Sequence, residues 1–232
     1  MAEWLSWTTI RRVLIAIPAI GLCTAAYTWL TLPDIRPLRT ANPQTTAFMA
    51  RREAETRSAG KPVHRQQQWV SFDRISKHLV RAVLLTEDAG FYSHEGVDYG
   101  ELRAAIEDTV ERGEPLRGAS TITQQLAKNL YLTPSRDPYR KLSELLLARR
   151  LEAELSKRRI LELYLNVIEW GDSIWGVGAA ARIYFDESAD DLSEEEAALL
   201  AGAISNPRRF NPAKPDARLK RIQAIILRKM GR

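Results

Sequence analysis

Apolar and polar positions along the chain separate into one unbroken apolar run followed by a series of helical stripes. Residues 13–32, VLIAIPAIGLCTAAYTWLTL, carry no charged side chain. Roughly 20 apolar residues match the hydrocarbon thickness of a bilayer, so the run predicts one transmembrane helix. Pro18 is tolerated in such a helix. Arg11 and Arg12 precede the run, and Trp4, Trp7, Tyr27 and Trp29 lie near its ends. Basic flanks favour the cytoplasmic side and aromatic rings favour the interfaces. Residues 1–12 are therefore expected in the cytoplasm, and everything after residue 32 across the membrane. The competing reading is a cleaved signal peptide, but the run is long for one and no clear small-x-small site follows it.

Residues 33–68 read as a connector bearing Pro, Arg and Gln, with basic charges suited to anionic headgroups. Within it, TTAFM is apolar enough to dock on something. From Trp69 onward the periodicity is helical. ISKHLVRAVLLTEDAGF places Ile75, Leu79, Val83 and Leu84 on one stripe. Further helices are expected in YGELRAAIEDTVERG, STITQQLAKNLYL, YRKLSELLLARRLEAEL, KRRILELYLNVIEW, IWGVGAAARIYF, SEEEAALLAGAI and ARLKRIQAIILRKM. Ser120 or Thr121 suits the N-cap of the third, and Ser193 with Glu196 forms a capping-box pattern. No strand pair is evident. Residues 69–232 are expected to form one mainly α domain.

Composition adds a partner class. The 232 residues carry a net charge of +5 and a pI of about 9.4, which suits an anionic partner such as acidic lipid or a phosphorylated substrate. Nucleic acid is disfavoured, because the anchor puts the domain outside the cytoplasm. Cys23 is the only cysteine, so no internal disulfide or cysteine metal site exists.

Three stretches carry candidate chemistry. In TEDAGFYSHEG, a continuing helix would bring Glu87, Phe91 and His94 to one face, with Asp88 turned away. A carboxylate beside Leu85, Phe91 and Tyr92 would be partly desolvated, which raises its pKa and suits it to act as a base near neutrality; from this stretch alone, a solvated or capping Glu-Asp pair at a helix end is the stronger reading. His94 reads as a hydrogen-bonding residue rather than a metal ligand. In RKLSE, Arg140 and Glu144 are four apart and can touch, amid Lys128, Arg136, Lys141, Arg149 and Arg150. In GASTITQQLAKN, Gly118 permits a tight turn, Ser120 and Thr121 open a helix whose free N–H groups favour an anion, and Gln124 and Lys128 share a face beside Gln125. That face suits a ligand bearing sugar hydroxyls and phosphate.

EDAGFYSHEG, GASTITQQ, RKLSE and KRRILELYLN, in this order and behind an anchor, resemble the motifs of the bacterial peptidoglycan glycosyltransferases. That family includes the N-terminal module of class A penicillin-binding proteins and stand-alone membrane-anchored enzymes. The resemblance spans about Trp69 to Pro212, and NPQTTAFM with EWGDSIWGVGAAARIYF is similar to the monofunctional biosynthetic branch. EWGDSIWG replaces the Arg-Gly that many members show after YLN, which leaves open whether this loop meets substrate. The resemblance implies a lysozyme-like, mainly α head with a small membrane-associated lobe, here around AAIEDTVERGEPLRG. It implies polymerisation of lipid II, the undecaprenyl-pyrophosphoryl disaccharide pentapeptide, into β-1,4 glycan strands with inversion at the α-linked donor. Glu87 then matches the general base, supported by Asp88, and Glu144 the second essential carboxylate. Lys128, Arg136 and Arg140 match the groups that neutralise pyrophosphate, with Arg103, Gln124, Gln125 and Ser120 as further contacts. Glu144 would organise the cations or help a divalent ion (Mg or Mn), and no metal ligands are assigned. Implied partners are the nascent glycan strand, membrane lipids, and penicillin-binding or division proteins, at the inner membrane with the catalytic domain on the periplasmic side. KRRILELYLN reads mainly as architecture: Ile160, Leu161, Tyr164 and Leu165 pack, and Asn166 fixes a loop.

Two other readings share some of these features. A lytic transglycosylase would keep a single key Glu but has no need of the Lys/Arg cluster. A non-catalytic cell-wall scaffold would not need Glu87, Lys128 and Glu144 together.

Overall fold

The computed structural model describes residues 7–112, 120–132 and 138–231. Helix α1 (Trp7–Thr31) contains the apolar run. Its Leu14–Thr31 stretch has a mean hydropathy of 1.6 and is long and apolar enough to cross a membrane. Leu14, Ile17, Ile20 and Leu22 project outward from it.

The segment 33–68 is more ordered than its composition suggests. A 3-10 turn at Arg36–Arg39 leads to α2 (Ala47–Ser58) and the short strand β1 (Gln66–Gln67). Ile35, Leu38 and Met49 are buried in the main core. Thr46 caps α2 by accepting from the Met49 N–H. TTAFM thus docks as expected, through Met49 and through Phe48, which meets Trp175 edge-on. The composition of this segment is polar because α2 buries only a narrow stripe.

Helices α3 (Lys77–Glu87), α5 (Ile122–Tyr131), α6 (Pro138–Glu154) and α7 (Lys157–Val167) build the centre. Helix α5 packs between α6 and α7, and α3 packs on α9 (Glu194–Ala203) and α10 (Ala217–Met230). Tyr164, Phe91, Leu126, Leu147, Leu151 and Ile160 are fully buried where these meet. Helix α4 (Tyr99–Arg112) stands apart, with Ile106 and Val110 exposed. The Ser193–Glu196 capping box is present in both directions.

One expectation fails. A small sheet exists, in the order β1-β3-β2, with β2 (Glu169–Gly171) antiparallel to β3 (Ile174–Trp175) and β1 parallel to β3. Its strands are two or three residues long, too short for alternation to register in the sequence. The helix expected from Ile174 accordingly starts later, as α8 (Val177–Phe185). Gly176 precedes it at φ +76, where an added Cβ would lie 2.6 Å from the Asn166 carbonyl oxygen. The turn therefore requires glycine on both counts.

Asn166 does fix a loop, but the loop is the one at Val70. Its amide accepts from the Val70 N–H and donates to the Val70 and Glu162 carbonyls, all at 2.8 Å. Asn166 is fully buried. Asn166→Ala strands the Val70 N–H and is expected to cost about 1–3 kcal/mol, lowering Tm by several degrees in a thermal melt. An unchanged Tm would mean that water replaces the amide.

Candidate active site

Glu87 is the last residue of α3, and the helix does not continue through Asp88 as expected. Asp88 is extended, and its carboxylate ties two segments together. Oδ2 accepts from the Ile122 N–H at the start of α5, and Oδ1 meets His94 Nε2, both at 2.9 Å. His94 Nδ1 accepts from the Gly96 N–H, so Nε2 carries the ring proton and donates to Asp88. His94 therefore has the hydrogen-bonding role read from the sequence. Asp88 is buried, locks the residue after Glu87 onto the N-terminus of α5, and also lines the cavity beside Glu87.

Thr121 is the N-cap of α5. Its hydroxyl donates to the Gly96 carbonyl and accepts from the Gln124 N–H, while Gln124 Oε1 accepts from the Thr121 N–H. Gln124 is buried by this capping box, which corrects its expected place on an exposed donor face. The polar residues of STITQQLAK thus divide by helical position. Thr121, Thr123 and Gln124 build the joint, and Gln125 and Lys128 are left for chemistry.

Gln125 Nε2 donates to Glu87 Oε2 at 2.9 Å. Gln125 Oε1 in turn accepts from the Tyr164 hydroxyl on α7, also at 2.9 Å. Burial pushes the Glu87 pKa up, offset in part by the Gln125 hydrogen bond and the Lys128 charge, and reinforced by Asp88. The direction agrees with the desolvation expected of this carboxylate from its apolar neighbours in sequence. Tyr164, read from the sequence as packing alone, has this further contact. A buried Tyr hydroxyl needs a partner, which was the available signal.

The second carboxylate, Glu144, is 3% exposed. Oε2 accepts from Arg140 Nη1 at 2.8 Å and Oε1 from Lys141 Nζ at 2.6 Å. Lys141 also reaches Ser120 Oγ at 3.4 Å. Lys128 makes no hydrogen bond or ion pair among the described residues. Burial lowers its pKa, Glu144 raises it, and Arg140 and Lys141 lower it further. Lys128, Arg140 and Lys141 thus surround one carboxylate, leaving the cluster with excess positive charge. Lys141 was not singled out because in sequence it is one basic residue among several.

Arg103 is not drawn into this group: on exposed α4 it pairs with Glu107 at 2.8 Å. Arg136, Gly118 and Leu116 lie outside the described residues. Glu144 has both oxygens engaged by cations, and no group of three His, Cys, Asp or Glu suited to a metal occurs among the described residues. These residues do not fit a divalent-cation site of their own.

A cavity of about 200 Å³ opens beside Glu87, lined among others by Leu85, Ala89, Asp98, Ser120 and Lys229. A larger one of about 380 Å³, between α2 and the β2–β3 hairpin, excludes Glu87. Within it Arg52 pairs with Glu169, Arg65 with Glu53 and Arg208 with Asp172. The variant loop EWGDSIWG thus forms this hairpin, with Trp170 buried.

A family model described as Transglycosylase matches residues 53–231. The chain is 44% identical over 217 residues to a biosynthetic peptidoglycan transglycosylase of Dechloromonas aromatica, covering 94% of each chain. It is 44% identical over 224 residues to one of Nitrosomonas eutropha, covering 96% of this chain and 90% of the relative. A third, from Aromatoleum aromaticum, is 48% identical over 169 residues, 73% of this chain and 74% of that one. With a family model over residues 53–231 and relatives 44% identical over at least nine-tenths of its length, the chain belongs to the transglycosylase family.

Proposed function

We propose that this chain polymerises lipid II into β-1,4 glycan strands of peptidoglycan. Glu87 takes the proton from the acceptor sugar's 4-hydroxyl as that oxygen bonds to the donor's anomeric carbon. The bond from that carbon to pyrophosphate breaks, and the lipid pyrophosphate leaves with the electron pair. Lys128, Arg140 and Lys141, with Arg136, neutralise the leaving group. Glu144 holds Arg140 and Lys141 in place. The observation that carries this reading is the pairing of one desolvated carboxylate with a cationic cluster held by a second carboxylate. A hydrolase of the finished polymer has no pyrophosphate for that cluster to meet. Detergent-solubilised protein given lipid II is expected to yield long, lysozyme-sensitive chains. Cleavage of preformed glycan without synthesis would reject the proposal.

The apolar helix α1 serves as a membrane anchor. We place residues 1–12 in the cytoplasm, the span at 13–32 in the inner membrane, and the catalytic domain, from about residue 69, on the periplasmic side. The support is Arg11 and Arg12 before the span and the junction between α1 and α6. Arg150 Nη1 donates long hydrogen bonds to the Leu32 and Trp29 carbonyls, at 3.4 and 3.5 Å, and its guanidinium lies 5.6 Å from the Trp29 ring. Glu144 precedes Arg150 by less than two turns of α6, or about 9 Å along the axis. On this reading the cluster would lie within about 9 Å of the level of that junction, near the headgroups that carry a lipid-borne pyrophosphate. Arg150→Ala is expected to lower polymerisation about five-fold in liposomes, from roughly 1 kcal/mol of lost contact, and less in detergent. Equal losses in both would point to damage within α6.

A further inference from the structure

Glu87 is a single carboxylate at a helix end, and its usefulness as a base depends on which oxygen is free and how firmly the other is held. Among the described residues its only hydrogen bond is from Gln125 Nε2 to Oε2. Oε1 is left for the acceptor hydroxyl. The Gln125 amide has two orientations, related by a half-turn, that fit the same space. In one, Nε2 faces the carboxylate. In the other, Oε1 faces it, placing two acceptors against each other. What distinguishes them on the far side is Tyr164, whose hydroxyl lies 2.9 Å from Gln125 Oε1. Tyr164 is fully buried, and burial holds its pKa well above the ordinary value, with the charges of Glu87 and Asp88 acting in the same direction. It remains a neutral phenol with a proton to donate, and the Gln125 carbonyl oxygen receives it.

We infer that Tyr164 is a positioning residue for Glu87: its hydroxyl locks the Gln125 amide so that the NH₂ group faces the carboxylate and Oε1 of Glu87 stays free. This rests on the reading of Glu87 as the base. The lock spans three elements, α7 to α5 to the end of α3, and the backbone of Gln125 is itself held by Asn129 Nδ2, which donates to its carbonyl at 2.8 Å. Sequence alone hides it, because Tyr164 lies in an apolar helical stripe. Other ionisable groups around Glu87 are Asp88 after it, Lys128 on α5, and Asp98, Glu101 and Lys229 across the cavity. All of them remain when the Tyr164 hydroxyl is removed, so the difference isolates the lock.

Tyr164→Phe keeps the ring and removes the hydroxyl. The amide then samples the flipped orientation and the carboxylate loses part of its donor. A hydrogen bond to the charged form favours that form, so its partial loss raises the Glu87 pKa. The acid limb of kcat/KM against pH is expected to move up by about half a unit, with kcat on the plateau reduced a few-fold and KM little changed. In a Gln125→Ala background, Tyr164→Phe is expected to move the limb no further. The same shift should appear without turnover, by carbon-13 NMR of the protein labelled at glutamate carboxyls. The Glu87 signal is assigned by its loss in Glu87→Gln. A Tyr164→Phe protein that loses thermal stability but titrates like wild type, or that shifts equally with and without Gln125, would overturn the lock. Failure of the wild type to polymerise would count against the base assignment, while the NMR titration would still judge the lock.

Discussion

Glu87→Gln is expected to reduce chain formation by about 10²–10⁴-fold, the usual contribution of a positioned general base. Gln fills the same volume, but it cannot accept a proton from a sugar hydroxyl. Its effect on stability runs the other way. Burial raises the folded pKa of Glu87, so the stability linked to its protonated form is present at low pH. That stability is lost as pH rises through the folded value. At neutral pH the wild-type carboxylate therefore costs stability, and the variant should melt at the same temperature or higher. The wild-type rate should rise with pH through a midpoint above the ordinary Glu value. Measured initial rates and melting curves at pH 5 to 8 check both. A variant that is inactive because it is unfolded would show a lowered Tm instead.

Glu144→Gln is the second large effect. A carboxylate buried among cations is costly to remove on one side only, because its partners lose their anchor. Two opposed results follow from two roles. If Glu144 merely diluted the positive charge, its loss would tighten pyrophosphate binding and speed its departure. If it orients Arg140 and Lys141, which its two oxygens each engage, its loss scatters donors that must already be aimed at the developing charge. Removing preorganised donors of this kind costs about 10²–10³ in kcat. We expect a fall of about 10² in kcat, with KM unchanged or lower and a reduced Tm. A rise in kcat/KM would assign Glu144 the diluting role.

The helices were legible because each rests on local periodicity, and the Arg140–Glu144 contact because it rests on an i, i+4 spacing, whereas the roles of Glu87 and Glu144 came from the resemblance. The division of labour within STITQQLAK was not legible. Gln124 and Gln125 are adjacent and chemically alike, yet one is buried in a cap and the other bonds Glu87. Only the packing of α5 against α7 and the residues after Glu87 separates them. The expected continuation of the helix through Asp88 failed for a related reason, since its partners Ile122 and His94 are set by a turn that ends α3 at Glu87. Arg103 was carried by resemblance, while its side chain pairs within an exposed helix. The sheet escaped notice because its strands are too short to show a pattern. Met49 and Ile35 show the opposite limit: two or three buried residues suffice to order a segment whose composition is that of a linker.

The separation of proton transfer from leaving-group neutralisation is tested most directly by one titration. Wild type and Glu87→Gln are mixed with labelled lipid II, and bound lipid II and released undecaprenyl pyrophosphate are counted in the same samples. Equal binding, with release from wild type only, is the predicted result. Release from Glu87→Gln at the wild-type rate would contradict the assignment of Glu87 as the base.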